Sequence, residues 1–230
     1  MKANNGTKAV LERALADSSP KVVSQDILEY FKGLIGQIEI ALPERESRVL
    51  LVSSSVPGEG TTEVVVGLGV ALASAMGRRT VIVDCNFRHP DLHVRFGTPA
   101  SGLGEFLAGE IGMEEAVSST AVPNLWVMGT GKPIGSLCSV GREGMEKLFD
   151  DLRSRFEYVL IDGAPVATDP ESAVLCNKVD SVILVVRHGS TKREVVRAAA
   201  DMIARAGGRV LGVVLNRRRF PIPDFLYKRL

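Results

Sequence analysis

The sequence predicts an α/β fold, a doubly wound and mostly parallel sheet with helices on both faces. Three observations predict it. The apolar runs at 50–52, 81–83, 159–161 and 182–186 have the unbroken character of strands buried on both faces. Stretches with apolar residues at helical spacing separate them, so strands and helices alternate. Two runs end in an acid, Asp84 and Asp162, at the C-terminal sheet edge where open α/β sheets bind ligands.

Taken in order, residues 1–20 read as a flexible polar arm, 21–217 as one domain and 218–230 as a basic, aromatic tail. Ser24 to Leu42 is a helix, with Ile27, Phe31, Leu34, Ile35, Ile38 and Leu42 on one stripe and Pro43 ending it. It precedes the first core strand, so it packs outside the sheet or on another subunit. Strands follow at Arg48–Ser54, Arg79–Asp84, Leu125–Met128, Tyr158–Asp162, Val182–Val186 and Val210–Leu215. Helices are expected from the Gly60 region to Gly77, at Gly104–Gly109, Met113–Val117, Glu143–Phe156, Asp169–Asn177 and Lys192–Ala206. Residues 86–97 read as a loop. Gly129–Gly141, rich in Gly and Pro, reads as a loop over the active edge.

The bulk numbers narrow the function. The 230 residues are 45% hydrophobic and 24% charged, enough for a proper core. A net charge of +1 gives no reason to expect nucleic acid as a partner. Cys85, Cys138 and Cys176 are widely spaced in apolar surroundings and read as buried free thiols. His89 and His93 are four apart, but nothing nearby completes a zinc pattern. The polar N-terminus lacks the pattern of a signal peptide, and the apolar run 64–77 is shorter than the roughly 20 residues a span requires. A cytoplasmic protein is expected, reaching the membrane surface through a partner.

The chemistry lies at 50–76, LLVSSSVPGEGTTEVVVGLGVALASAM. A buried strand, a glycine-bearing loop and an apolar helix make the layout of a phosphate-binding P-loop, whose backbone N–H groups and helix N-terminus hold anions. Gly58, Glu59, Gly60, Thr61, Thr62 and Glu63 are the candidate nucleotide contacts. Thr62 stands where a hydroxyl would bind Mg²⁺, and Thr61 where a lysine would reach the terminal phosphates. A charge-assisted bond to phosphate is worth about 1.5–3 kcal/mol. By analogy with lost oxyanion donors, its absence from a phosphoryl-transfer transition state costs on the order of 10²–10³ in rate. Asp84 and Asp162 are the candidate catalytic acids and, with Thr62, the candidate metal-side groups.

The segments PGEG-TT, VDCNFRHPDLHVRFG, GLGEFLAGE, FEYVLIDGAPV and VLGVVLNR resemble the bacterial tyrosine kinases of capsular and exopolysaccharide export, P-loop proteins of the group that includes Min- and Par-type ATPases. The resemblance runs from about Ser19 to Arg217. It implies ATP or ADP with Mg²⁺ as cofactor, contacts from Arg88 and from Asn216 at an adenine-contacting position, and a membrane chain-length protein (a polysaccharide co-polymerase) as partner. Homo-oligomers would form through the Ser24–Leu42 helix.

The departures from the family pattern fall together. Thr61 replaces the P-loop lysine, and Asp84-Cys85-Asn86-Phe87-Arg88 has an amide for the second acid of Asp-x-Asp-x-Arg. Asp162-Gly163-Ala164-Pro165 lacks a hydroxyl after the acid. Glu29, Lys32 and Ile35 stand in for the oligomer motif Glu-x-x-Arg-x-x-Arg, and the tail holds Tyr227 instead of a tyrosine cluster; Tyr30 and Tyr158 fall in expected core elements. The leading expectation is a degenerate kinase-like regulator or scaffold with weak or no phosphoryl transfer. One alternative is an active autokinase with a displaced cation from Arg88, Lys132 or Arg217. Others are a Min/Par-type positioning ATPase, which the absence of a lysine at 54–56 speaks against, and an interaction protein that binds no nucleotide.

Overall fold

The computed structural model describes residues 25–134 and 136–217. The expected arm at 1–20, the tail at 218–230 with Tyr227, and the side chains of Ile27 and Cys138 lie outside the described residues.

The chain runs α1 (Gln25–Ala41), β1 (Arg48–Ser54), α2 (Thr61–Val70, continued by a π-helical turn at Ala71–Ala75), β2 (Thr80–Cys85), α3 (Leu92–Phe96), α4 (Leu103–Leu107), α5 (Met113–Ala116), β3 (Ser118–Ser119), β4 (Leu125–Met128), α6 (Arg142–Arg155), β5 (Tyr158–Gly163), α7 (Pro170–Cys176), β6 (Ser181–Arg187), α8 (Arg193–Arg205) and β7 (Val210–Asn216). The sheet order is β3-β4-β2-β5-β1-β6-β7, parallel throughout except for the β3–β4 pair. The six expected strands are present. The sequence reading omitted β3, a two-residue edge strand, and α3, whose five residues are too few for periodicity to register.

The unbroken apolar strands serve two cores. Along β1, Val49 and Leu51 face one core with α4, α6, α7 and α8, while Leu50 and Val52 face the other with α1 and α2. Both faces are therefore dry, and alternate side chains find apolar partners. The α1 stripe is seated as expected: Phe31, Ile35, Ile38 and Leu42 are buried. It packs outside the sheet, over α2. Gly67 makes that approach possible, because a Cβ there would stand 2.2 Å from the Phe31 ring. Ile35, in the third place of the oligomer motif, is a core residue, while Glu29 and Lys32 pair with each other at 2.7 Å on the surface. Tyr158 is buried, but Tyr30 lies on the outer face of α1 at 54% exposure, against the expectation that it is core.

The described residues of Gly129–Gly141 do not line the cavity at the active edge. The first of them lie along α4, where Leu103 N donates to Gly129 O and Gly104 N to Thr130 O, each at 2.9 Å. Gly102 and Gly104 permit this, since a Cβ at either would meet that backbone at 2.1 Å. Further on, Glu171 accepts from Leu137 N and Ser136 Oγ. Backbone N–H groups of α4 and the Glu171 carboxylate of α7 thus hold the described part of the loop.

Candidate functional site

The C-terminal ends of β1, β2 and β5 open into a cavity of about 740 Å³. One wall is the phosphate loop with Pro57, Gly58, Gly60, Thr61, Thr62 and Glu63. The opposite wall carries Asn86, Arg88, Asp91 and Arg95, with Gly163 to Pro165 between them and Arg217 at the rim. Gly58 and Gly60 have φ of 81° and 90°, left-handed values that glycine adopts without steric cost. The loop turns on them into α2, whose first intrahelical bond runs from Val64 N to Gly60 O. The amides of Thr61, Thr62 and Glu63 belong to the first turn, which leaves N–H groups without helical acceptors and concentrates the positive end of the helix dipole. The loop and the first turn of α2 thus have a geometry suited to an anion.

Thr62 and Asp162 come together as expected. Thr62 Oγ1 donates to Asp162 Oδ2 at 2.7 Å. Asp162 is buried, and its other oxygen, Oδ1, has no hydrogen-bond partner. Burial, with the Asp84 carboxylate on the adjoining strand adding to it, pushes the Asp162 carboxyl up to about 8. A buried carboxylate with one oxygen on a hydroxyl and one unsatisfied fits the inner side of a hydrated Mg²⁺ site.

Asp84 is placed differently from expectation. It accepts from Asn86 N at 3.0 Å, Asp91 N at 3.1 Å and Leu92 N at 3.2 Å. Both oxygens accept from the loop that leads into α3, and neither Asp84 nor Asp162 is among the residues lining the cavity. Burial raises its carboxyl, and the three N–H groups oppose that rise. Asp84 thus shapes the loop between β2 and α3.

Glu59 and Asn216 also turn away from the cavity. The Glu59 carboxylate accepts from Ser55 N at 2.7 Å, Val56 N at 3.1 Å, Arg187 N at 3.1 Å and the Thr191 hydroxyl. It pins the loop to the end of β6. Asn216 Nδ2 donates to Glu59 O at 2.9 Å, so the amide expected to reach adenine braces the loop from behind. Glu63 lines the cavity and pairs with Arg217 at 3.3 Å. Of the candidate displaced cations, Arg88 and Arg217 line the cavity. Lys132 does not; it pairs with Glu110.

Sequence reasoning missed Arg95 and Asp169. Arg95 lies within the VRFG segment, but α3 is what turns it inward. Asp169 caps α7, accepting from Glu171 N at 3.0 Å, and holds Arg88 Nε at 2.7 Å. The capping signal was legible, but a partner 81 residues away was not. Among the described residues, no cluster of three or more His, Cys, Asp or Glu side chains is placed to hold a metal ion.

No family model matches the chain. Individual proteins do. The tyrosine-protein kinase CpsD of Streptococcus agalactiae serotype III (strain NEM316) is 28% identical over 192 residues, 82% of each chain. The putative tyrosine-protein kinase CapB of Staphylococcus aureus is 28% identical over 193 residues, 83% of this chain and 84% of that one. The crystal structure of the chimerical protein CapA2B2 superimposes with a TM-score of 0.75 at 26% identity, covering 91% of both chains. Over most of its length the chain is similar to bacterial tyrosine kinases. The bacterial tyrosine kinase fold is shared more widely. The septum site-determining protein MinD complexed with Mg-ADP from Pyrococcus horikoshii OT3 matches with a TM-score of 0.63 at 22% identity, over 80% of this chain and 76% of that one. At that identity the likeness shows the fold alone.

Proposed function

We propose that this chain is a bacterial tyrosine kinase relative that binds ATP or ADP with Mg²⁺ but transfers phosphate slowly or not at all, and serves polysaccharide synthesis or export as a regulator or scaffold. The observation that carries this reading is Thr61 in the lysine position of a loop whose Gly58, Gly60 and Thr62 keep their working geometry. Thr62 and Asp162 would hold Mg²⁺, partly through water, and the metal would neutralise charge on the phosphates. The amides at the start of α2 bind and orient the phosphate chain. Thr61 adds no charge at the point where a transferring phosphoryl group gathers it, so ground-state binding survives better than transfer.

The chain-length partner and the cytoplasmic place at the membrane's inner face belong to the same proposal. They are supported by the likeness to the CapA2B2 chimera and by the putative tyrosine-protein kinase EpsB of Ralstonia nicotianae, of which the aligned region is 26%. Among the described residues, no helix is long and apolar enough to cross a membrane.

Incubation with Mg-ATP followed by mass spectrometry tests the reading. The expected result is calorimetric binding of Mg-ADP with little phosphotyrosine after hours. Rapid, stoichiometric tyrosine phosphorylation would overturn the weak-transfer reading, and absence of heat with millimolar Mg-ADP would overturn nucleotide binding.

A further inference from the structure

We propose that Arg217, at the end of the last strand, contributes a cation to ground-state binding of phosphate at the loop that lacks its lysine, leaving the weak-transfer reading as it stands. This rests on the nucleotide-binding reading above and assigns the residue that makes binding depend on the terminal phosphates.

Four basic residues line the cavity among the described ones: Arg88, His89, Arg95 and Arg217. Arg88 is tied to Asp169 and Arg95 to Asp91, both on the wall opposite the loop. Arg217 is the member that touches the loop, its Nη1 donating to Gly58 O at 3.4 Å and its Nη2 to Glu63 Oε1 at 3.3 Å. Both contacts are long. A guanidinium carries five N–H donors in a planar fork, so these bonds leave it free to turn onto phosphate oxygens, which it matches bidentately. Its charge also offsets Glu63, whose carboxylate in the first turn of α2 would otherwise repel an anion there.

The backbone is built to aim it. Arg217 has φ of 54°, a left-handed value that a side chain with a Cβ rarely adopts. Asn216 stabilises the turn, accepting from Arg217 N at 2.8 Å through Oδ1 while its Nδ2 donates to Glu59 O. Asn216 sits so close to Gly60 that a Cβ on Gly60 would meet Nδ2 at 2.2 Å. The chain reversal after β7 is thus fitted against the phosphate loop and returns the arginine over it.

The experiment is calorimetry with Mg-ATP and with AMP on the wild type, Arg217→Gln, Arg217→Lys and the double variant Thr61→Lys/Arg217→Gln. Glutamine removes the charge while keeping a Cβ in the same turn. The expected result is a loss of about tenfold or more in Mg-ATP affinity for Arg217→Gln, with AMP affinity unchanged. Arg217→Lys keeps most of the Mg-ATP affinity, and Thr61→Lys restores it in the double variant. Arg217→Gln binding Mg-ATP within about twofold of wild type would overturn the inference and leave the nucleotide reading standing. If Arg217→Gln does not fold, an Arg217→Lys variant that folds but loses the preference for ATP over AMP overturns it instead. A wild type that binds neither nucleotide overturns the underlying reading, and this inference with it.

Discussion

Asp162 is buried beside a second acid, and its carboxyl holds a proton until about pH 8 in the nucleotide-free protein. An unfolded chain releases that proton near pH 4. Between those values the folded state binds more protons than the unfolded one, so raising the pH through this window costs stability, and the full cost applies above pH 8. Asp162→Asn removes the ionisation and can still accept from Thr62. Its melting temperature, measured without Mg²⁺ or nucleotide, should match wild type near pH 4 and exceed it above pH 8, by about 2–4 °C per kcal/mol relieved. Equal melting temperatures at pH 8.5 would mean that Asp162 is not held protonated. The same residue ties stability to function, because the unpartnered Oδ1 that burial penalises is the atom a hydrated cation would satisfy.

The helix α2 sets a weak local preference against a hard tertiary contact. Gly67 and Gly69 lie inside it, and glycine costs about 1 kcal/mol in a helix relative to alanine. Propensity alone predicts that Gly67→Ala stabilises. The Phe31 ring occupies the space the new methyl would take, and overpacking a filled site typically costs about 1–3 kcal/mol. Gly67→Ala should therefore lower stability in chemical denaturation, and Gly67→Ala/Phe31→Leu should recover part of the loss. A stabilised single variant would show that α1 is held against α2 more loosely than the structure has it.

Across the whole molecule, the sheet edge opposite the phosphate loop is tied by one acid. Asp180, just before β6, accepts from Val49 N at 2.7 Å, from Arg153 of α6 at 2.9 and 3.0 Å, and from Arg45 at 2.9 Å. It joins β1, β6, α6 and the α1–β1 connection, and its side chain is 12% exposed. Its arginine partners keep solvent access, Arg153 at 28% exposure, so the loss is that of a partly exposed pair plus a Val49 N–H left without its acceptor, typically about 1–3 kcal/mol. Asp180→Ala should lose stability on that scale while nucleotide affinity, set at the far edge, is preserved in whatever fraction folds. A loss below about 1 kcal/mol would place the pair with ordinary surface ion pairs.

By itself the sequence determined the order of elements and the turns of the glycine-bearing loop. Those are local properties: apolar runs, helical spacing, and glycines at the two positions where the loop turns left-handed. It also marked Thr61, because a missing charge is visible without coordinates. Only the tertiary structure decided how the two acids are partnered. Asp84 and Asp162 look alike as strand-end residues, yet Asp84 spends its oxygens on three N–H groups of its own loop while Asp162 keeps one oxygen unpaired. Likewise, Asn216 and Glu59 each reach, besides local partners, one more than 120 residues away, and Arg217 reaches Gly58 across a separation of 159. A side chain's role depends on which groups the fold brings within hydrogen-bonding distance, and spacing along the chain carries no record of that.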